Sequence, residues 1–453
     1  MTDLYMIFTV VSAVAILLLM VLRLKISAFI SLLMISIYVG ILLGMPLKSI
    51  LTSIQNGMGS TLGFVATVVG LGAIFGQMLE SSGGAESLAK NLVSRFGKEK
   101  ASWAMMITGF VIAIPVFFDV GFIILVPLVY ALARDTGRST LYYGIPLLAG
   151  LAVTHSFVPP TPGPVAVADI IGVQLGWVIL FGILLGFPIA VIAGPVFGKY
   201  ISTKIDVRPP DDFAKKSFEE VKDTGLPSFG LVIAIIGIPL FLILLNTLTS
   251  VLISSEIIAK SGLTDITEFL GHPFSALIIA TVVAIYVLGI RRGLAREEIL
   301  DLSTKALGPA GIIILITGAG GVLKQILVDS GIGKMMAESI ASSSFSPILL
   351  AWLLSAIVRV TQGSATVAMI TAAGIISPIL PSMDLTEPYK ALIVLAIASG
   401  ATLLSHVNDS GFWLVGKYFA LNEKQILRSW TVMESIIALS GLGLTLLAGL
   451  FFR

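Results

Sequence analysis

The stretch LLAGLAVTHSFVPPTPGPVAVADI, residues 147–170, is apolar at both ends and carries Pro159, Pro160, Pro162 and Pro164 in its middle. A helix cannot continue through these prolines, because proline lacks a backbone N–H group and its ring clashes with the preceding turn. The stretch therefore predicts a helix at membrane depth that stops and starts again. Non-helical backbone at that depth is tolerated only where protein buries it or where it lines a cavity.

The composition of the whole chain indicates a membrane protein. Of its 453 residues, 56% are apolar and 12% are charged, about half the ~25% of soluble proteins. The mean hydropathy is +1.02. Since a membrane helix needs about 20 residues, the apolar residues suffice for about a dozen. This composition excludes a soluble enzyme and a nucleic-acid binder, and the lack of cysteine excludes a disulfide scaffold.

Three further apolar segments are interrupted. The motif SHVNDSG breaks a second helix, while FFDVG (with Pro115 before it) and QGSAT each divide a segment that is too short for two membrane spans. Such a segment predicts a re-entrant hairpin whose tip is buried in protein or lines a cavity. We predict hairpins at 102–133 and 346–380, with tips at 117–121 and 362–366, and a second broken helix at 388–420, with its break at 405–411.

Two halves of the chain repeat each other. QMLESSG at 77–83 recurs as QILVDSG at 325–331, and Thr154-His155 recurs as Ser405-His406. Each half holds five predicted spans and one hairpin, and an odd number of crossings places the second half upside down, as in many secondary transporters. The predicted fold is an all-α polytopic membrane protein with two inverted repeats, 1–202 and 227–453, joined by an exposed polar cytoplasmic linker, 203–226.

The unbroken spans are predicted at 4–22, 26–44, 59–79, 175–200, 227–247, 273–290, 307–327 and 430–451. Helices lying in the membrane interface are predicted at 85–100 and 331–343, although 85–100 also suits an ordinary loop helix. With the N-terminus outside, 21 of the 28 lysines and arginines fall on cytoplasmic segments, six on outer segments and Arg359 in a hairpin. This bias predicts that both termini lie outside.

The interrupted helices suggest where a ligand binds. The N-terminal ends of broken helices attract anions and their C-terminal ends attract cations. We therefore expect an anionic substrate near the membrane midplane, accompanied by a proton or another cation. The sequence has no G-x-x-x-x-G-K-[ST] motif, so an ion gradient is the expected source of energy.

Two charged residues at the hairpin tips are the strongest candidates. Asp119 follows the first tip's phenylalanines, beside Gly121, and a carboxylate at membrane depth is costly and usually functional. It is predicted to bind substrate and carry a proton, or else to cap the hairpin's second arm. Arg359 precedes the second tip and can hold a carboxylate with two parallel hydrogen bonds, or else lock the hairpin to a neighbouring helix.

Polar residues at the breaks complete the predicted substrate site. Small and polar residues at the second tip offer donors for hydroxyls or a carboxylate, although a tight turn also favours them. Histidines at the two helix breaks can titrate near neutral pH or bind a hydroxyl, but two histidines do not predict a metal. Asp409 is a second candidate proton carrier, and no cofactor is predicted. These predicted binding residues are Gln362, Gly363, Ser364, Thr366, Thr154, His155, Ser405, His406, Asn408 and Asp409.

Several long motifs resemble the gluconate permease family, gluconate:proton symporters of the wider ion transporter superfamily. The resemblance covers essentially the whole chain and is carried by GMGSTLGFVATVVGLGAIFGQML, SGGAESLA, FFDVGFIILVPLVY, THSFVPPTPGP, TGAGGVLKQILVDSG, QGSATVAMITAAG and SHVNDSGFWLVGKYF. It implies proton-coupled uptake of gluconate or a related sugar acid by a homodimer in the bacterial inner membrane. Hairpins and broken helices would form a mobile transport domain that moves by an elevator mechanism.

The resemblance also implies residue roles. The family's hairpin acid corresponds to Asp119, the arginine before GSAT to Arg359, and the SHVND motif to Ser405, His406, Asn408 and Asp409. Many members read PPHPGP at the first break, whereas this chain has Thr161 in place of the histidine. The resemblance therefore favours the sugar-acid class over gluconate itself.

Three other functions remain as alternatives. A transporter of the same architecture could use sodium, or carry another small organic anion, and proton uptake measured with substrate separates these possibilities. An intramembrane enzyme could use His406 and Asp409 as acid and base, but catalysis gains nothing from a pseudo-symmetric site, so we predict that the protein is not an enzyme. Saturable accumulation against a gradient would exclude a channel.

Overall fold

The computed structural model describes residues 3–209, 225–332, 346–407 and 409–452. Within these ranges the chain forms helices and turns and no β-strand. The first half contains nine helices: α1 (Asp3–Leu22), α2 (Ala28–Leu42), α3 (Leu47–Ser81), α4 (Gly84–Phe96), α5 (Ala101–Ile112), α6 (Phe118–Thr136), α7 (Leu141–Phe157), α8 (Pro162–Ile171) and α9 (Leu175–Ser202), which includes a π-helical turn.

The described part of the second half contains nine further helices. They are α10 (Phe229–Ser254), α11 (Gly262–Gly271), α12 (Pro273–Arg292, which ends in π and 3₁₀ turns), α13 (Arg296–Asp329), α14 (Pro347–Gln362), α15 (Ala365–Ile376), α16 (Glu387–Gly400), α17 (Ser410–Tyr418) and α18 (Glu423–Phe452). Seven helical stretches of the described chain are long and apolar enough to cross a membrane. The chain is therefore a multi-pass membrane protein, and the ten predicted crossings stay a prediction.

The helices are interrupted at all four predicted places, but two hairpin details differ. The first tip spans 113–117, around Pro115, so Asp119 already lies in the first turn of α6. The interruption predicted at Pro115 and FFDVG is thus confirmed at Pro115 and Phe117, but 118–121 was wrongly included, because helix resumes at Phe118. The second hairpin leaves helix only at 363–364, where Gly363 adopts a left-handed conformation with φ of 83°.

Two long helices begin earlier than predicted, and one helix was not predicted at all. α3 begins at Leu47 rather than 59, and α13 begins at Arg296 rather than 307. Polar residues suggested a loop before each span, but in α13 the Glu298 carboxylate accepts a hydrogen bond from the Ala295 N–H at 2.8 Å and caps the helix. The unpredicted helix α11 begins with a similar capping box between Ser261 and Thr264.

Other predicted segments have mixed outcomes. The segment 85–100 contains helix α4, with Leu88 and Leu92 buried. The segment 331–343 lies almost entirely outside the described residues. The start of the linker is not exposed as predicted, since Ile205 and Val207 are buried and the Val207 carbonyl accepts a hydrogen bond from the Thr140 N–H at 2.8 Å.

The two long helices α3 and α13 pack against each other along most of their length, in antiparallel directions. Ser53 of α3 donates a 2.5 Å hydrogen bond to Asp329 near the end of α13, while Thr61 lies against Gly321. A Cβ atom added to Gly57 would lie 2.6 Å from the Gly321 carbonyl oxygen. Small residues are what allow membrane helices to approach this closely.

This contact predicts that Gly57→Ala destabilises the fold. The added methyl group meets backbone atoms, which cannot rotate away, and such overpacking costs about 1–3 kcal/mol. Gly59→Ala is the matched control on the same helix, because an added Cβ there meets nothing within 4 Å. We expect Gly57→Ala to unfold at a lower temperature than the wild type in detergent, and Gly59→Ala to be at least as stable as the wild type. Equal melting temperatures for the two variants would contradict this packing.

Candidate functional site

Four helices begin at the wall of one cavity of about 550 Å³. The second arms of the two hairpins, α6 and α15, and the second parts of the two broken helices, α8 and α17, all contribute their first residues. The cavity is lined by Phe117, Phe118, Asp119, Val120, Ala152, His155, Ser156, Pro162, Pro309, Ile313, Arg359, Gln362, Gly363, Ser364, Ala365, Thr366, Asp409, Ser410, Gly411, Trp430 and Glu434. The breaks predicted from sequence therefore meet at one site.

The convergence of helix starts makes this cavity attractive to anions. N–H groups in the first turn of a helix have no carbonyl partner within it, and the N-terminal end carries a partial positive charge. Such N–H groups belong to Asp119 in α6, to Ala365 and Thr366 in α15, and to Ser410 in α17. α8 contributes its dipole more than its donors, because Pro162 lacks an N–H group.

Arg359 is buried in the cavity wall, at the end of α14, with 3% of its side chain exposed. Its Nη2 atom donates a 2.6 Å hydrogen bond to Oδ2 of Asp409, and its Nη1 atom donates to the Gly363 carbonyl. The guanidinium thus joins the tip of the second hairpin to the second helix break. It is the one lysine or arginine side chain among the lining residues described.

Asp409 is held by donors from several sides. Its Oδ1 atom accepts a 3.1 Å hydrogen bond from the Gly411 N–H and so caps α17. Its Oδ2 atom accepts the Ser405 hydroxyl as well as Arg359, and Trp430 donates a 2.6 Å hydrogen bond to the Ser405 hydroxyl. Ser405 does not line the cavity, but it positions a residue that does.

Asp119 is a second acidic residue of the cavity lining. It is exposed to the cavity, stands in the first turn of α6 and interacts electrostatically with Asp409. A negative side chain in the first turn of a helix is favourable for the helix dipole. This position fits both sequence-based hypotheses, a capping charge and a ligand-binding carboxylate.

Several polar atoms at this cavity lack partners among the described residues. They are Nε of Arg359, both amide atoms of Gln362, Nδ1 of His155 and Oε1 of Glu434. Buried polar groups are normally hydrogen-bonded, and each exception requires an explanation. These atoms are available to hydrogen-bond with a ligand or with water in the cavity.

Three further predicted residues, Gly121, Thr154 and His406, are not among the lining residues. Gly121 packs against Leu151, and the hydroxyl of Thr154 is buried without a partner among the described residues. Nε2 of His406 makes a 2.8 Å hydrogen bond with the Val360 carbonyl and so fastens the second break to α14. Asn408 lies outside the described residues.

Sequence reasoning missed the contributions of α13 and α18. Pro309 and Ile313 come from α13, while Trp430 and Glu434 come from α18. The signal for Glu434 was present, since it is the one charged residue in the apolar run 430–451. For the other three, nothing in the sequence distinguished them from ordinary helix-packing residues.

The family model described as GntP family permease matches residues 5–451. The chain belongs to this permease family. It is 40% identical over 448 residues to the gluconate permease of Pseudomonas aeruginosa, covering 99% of this chain and 98% of that one. It is 38% identical to the low-affinity gluconate transporter of Escherichia coli K12, with 97% of each chain covered, and 39% identical to the Gnt-II system L-idonate transporter of the same organism, with 96% of each covered.

Two solved transporter structures are similar to this GntP family member. The YdaH transporter of Alcanivorax borkumensis superposes with a TM-score of 0.64 at 13% identity, covering 93% of this chain and 98% of that one. MtrF of Neisseria gonorrhoeae gives a TM-score of 0.62 at 15% identity, covering 88% and 83%. At these identities the likeness concerns the fold alone.

Proposed function

We propose that this protein imports gluconate or a related sugar acid together with protons across the bacterial inner membrane. The observation that carries the proposal is the single cavity in which four helix N-termini and Arg359 converge. Curated relatives named as gluconate and L-idonate transporters share 38–40% identity along nearly the whole chain. These relatives support a transporter rather than an enzyme. A catalytic site would also gain nothing from the pseudo-symmetric arrangement that two inverted repeats produce.

Arg359 and the N-terminal ends of the helices hold the carboxylate of the sugar acid. Arg359 supplies the permanent charge, and the N–H groups of α6, α15 and α17 supply uncharged donors. Because Asp409 offsets part of the Arg359 charge, the N–H groups at the helix starts add to the attraction of Arg359 for an anion. Arg359 in this arrangement combines the two roles that its sequence position suggested, a lock to the second break and an anion-binding group.

The hydroxyl groups of the substrate pair with the unpartnered side chains. Gln362 offers an amide N–H₂ donor and a carbonyl acceptor, and His155 offers its Nδ1 atom. Ser364 and Thr366 add hydroxyl groups at the second tip. A site built to hydrogen-bond hydroxyls discriminates strongly against analogues that lack them, because its buried polar groups are then left unpaired.

We further propose that 1–202 and 227–453 are inverted repeats joined at 203–226. Supporting this, Gly150 of α7 and Gly400 of α16 make equivalent contacts, since an added Cβ would lie 2.2 Å from the Met106 carbonyl oxygen and 2.4 Å from that of Trp352. The antiparallel pairing of α3 with its repeat counterpart α13 agrees with the inversion. The proposal also includes a homodimer and elevator movement, which the family resemblance implies. It places both termini outside, as the distribution of lysines and arginines predicts.

A ligand panel on the purified protein tests the substrate class. Ligand binding to the folded state raises the unfolding temperature by mass action, with about 2.7 kcal/mol gained at 100 times Kd. We expect gluconate, idonate or another aldonate to stabilise the protein, and hexanoate, which has the carboxylate but no hydroxyls, to have little effect. Stabilisation by hexanoate or a dicarboxylate alone would contradict the sugar-acid assignment and favour another organic anion.

A further inference from the structure

Glu434 is a buried carboxyl of the cavity that none of the roles above uses. It lies on α18, outside both hairpins and both broken helices, and only 4% of it is exposed. Its Oε1 atom has no hydrogen-bond partner among the described residues, although it lines the cavity. It interacts electrostatically with Arg359 and Asp409.

No charged group near Glu434 is hydrogen-bonded to its Oε1 atom among the described residues. Arg359 donates to Asp409 through Nη2 and to the Gly363 carbonyl through Nη1, while its buried Nε atom, like Oε1 of Glu434, has no partner among these residues. His155 is the other basic side chain of the described lining, and it belongs to α7. A buried charge with no partner is strongly unfavourable, so the arrangement is satisfied when Glu434 holds a proton.

The two other acidic groups of the cavity differ from Glu434 in this respect. Asp409 accepts hydrogen bonds from Arg359, from Ser405 and from the Gly411 N–H. The side chain of Asp119 is exposed at the cavity. Glu434 is therefore the acidic group of the described lining that is most buried and has the fewest donors.

We propose that Glu434 carries the coupling proton, so that the sugar acid binds when Glu434 is protonated and the two leave together. This inference rests on the proposed proton-coupled import. A protonated Glu434 offers an O–H donor to a substrate oxygen and removes one negative charge from a cavity with a single arginine. Once the anion has left, the side chain can release its proton to water entering from the other side. Proton and anion then bind cooperatively.

Glu434→Gln tests this role, because glutamine keeps the shape and stays neutral at every pH. The purified full-length protein is reconstituted in liposomes, and three quantities are measured with labelled gluconate: counterflow exchange, proton uptake with substrate, and accumulation driven by a pH gradient. Glu86→Gln is the matched control, since Glu86 also has a buried oxygen without a partner among the described residues but does not line the cavity.

For the wild type and Glu86→Gln, a gradient of one pH unit supports about tenfold accumulation if one proton accompanies each anion, because tenfold corresponds to 1.4 kcal/mol. For Glu434→Gln we expect continued exchange, no substrate-dependent proton uptake and an accumulation ratio near one. The affinity of this variant is also expected to vary less than about twofold between pH 6 and pH 8, where a proton-linked site changes by up to tenfold per unit.

Other outcomes overturn the inference in distinguishable ways. Proton uptake and accumulation retained by Glu434→Gln would exclude it as the proton carrier while leaving proton-coupled import intact. Loss of exchange as well as accumulation would assign Glu434 to binding or folding instead. If Glu434→Gln retains proton uptake while Asp119→Asn or Asp409→Asn loses it, that aspartate is the proton carrier instead of Glu434, as predicted from the sequence. A wild type that takes up no protons with gluconate would contradict the proposed function itself.

Discussion

Arg359→Gln is expected to abolish sugar-acid binding and uptake. The substitution removes the one arginine or lysine of the described cavity lining, and truncating one partner of a buried charge pair reduces affinity by about 2–5 kcal/mol, at least thirtyfold. It also leaves Asp409, which is 13% exposed, without its cation. We expect the variant to unfold at a lower temperature and to show no gluconate binding by calorimetry.

A double substitution separates the binding effect of Arg359 from its structural effect. Arg359→Gln with Asp409→Asn removes both charges, so no unpaired charge is left in the wall. Replacement of a complete buried pair is often nearly neutral for stability, whereas loss of one partner costs about 3–5 kcal/mol. The double variant should therefore regain much of the lost melting temperature while still failing to bind gluconate. Binding by either variant would contradict a role for Arg359 in holding the anion.

Asp409→Asn alone is expected to lower the stability of the ligand-free protein and to raise its affinity for gluconate. Asparagine can still accept the hydrogen bond from the Gly411 N–H, so the cap of α17 is preserved. Arg359, however, becomes an unpaired buried cation, and the ligand-free protein should lose about 3–5 kcal/mol of stability. A substrate carboxylate can then supply the missing negative charge.

The affinity of Asp409→Asn for gluconate is accordingly expected to rise. Two unit charges about 8 Å apart interact by about 2 kcal/mol at an effective dielectric constant of about 20, so removing one carboxylate from the site favours an anion by roughly tenfold or more. Thermal unfolding with and without gluconate measures both effects, and the ligand-induced shift should exceed that of the wild type. A smaller shift would mean that Asp409 itself binds the sugar acid.

The helix interruptions were predictable because their chemistry is local. Four prolines clustered at 159–164, Pro115, and Gly363 of QGSAT disfavour helix locally, although single prolines such as Pro127 and Pro309 lie within helices. The position of Asp119 within α6 was misjudged because the sequence does not show how soon a helix resumes after a proline. The early start of α13 was missed for a similar reason, since Glu298 caps the helix at a point where the surrounding residues are polar.

The composition of the cavity depended on packing that no single segment encodes. The four interrupted segments were identified one by one, but their meeting point depends on how the two halves pack, so Pro309 and Trp430 could not be assigned. Glu434 was recognisable as the one charge in an apolar run. Whether such a charge faces a cavity or a neighbouring helix is decided only by the rotation of α18 about its axis.

Uptake of labelled gluconate by proteoliposomes tests proton-coupled sugar-acid import most directly. Purified wild-type protein and Arg359→Gln are reconstituted in parallel, and a pH gradient or a sodium gradient is imposed separately. We predict that the pH gradient drives wild-type accumulation of about tenfold per pH unit at one proton per anion, with alkalinisation of the medium on substrate addition, and that the sodium gradient and the variant give none. Accumulation driven by sodium, or uptake that only equilibrates under both gradients, would contradict the account.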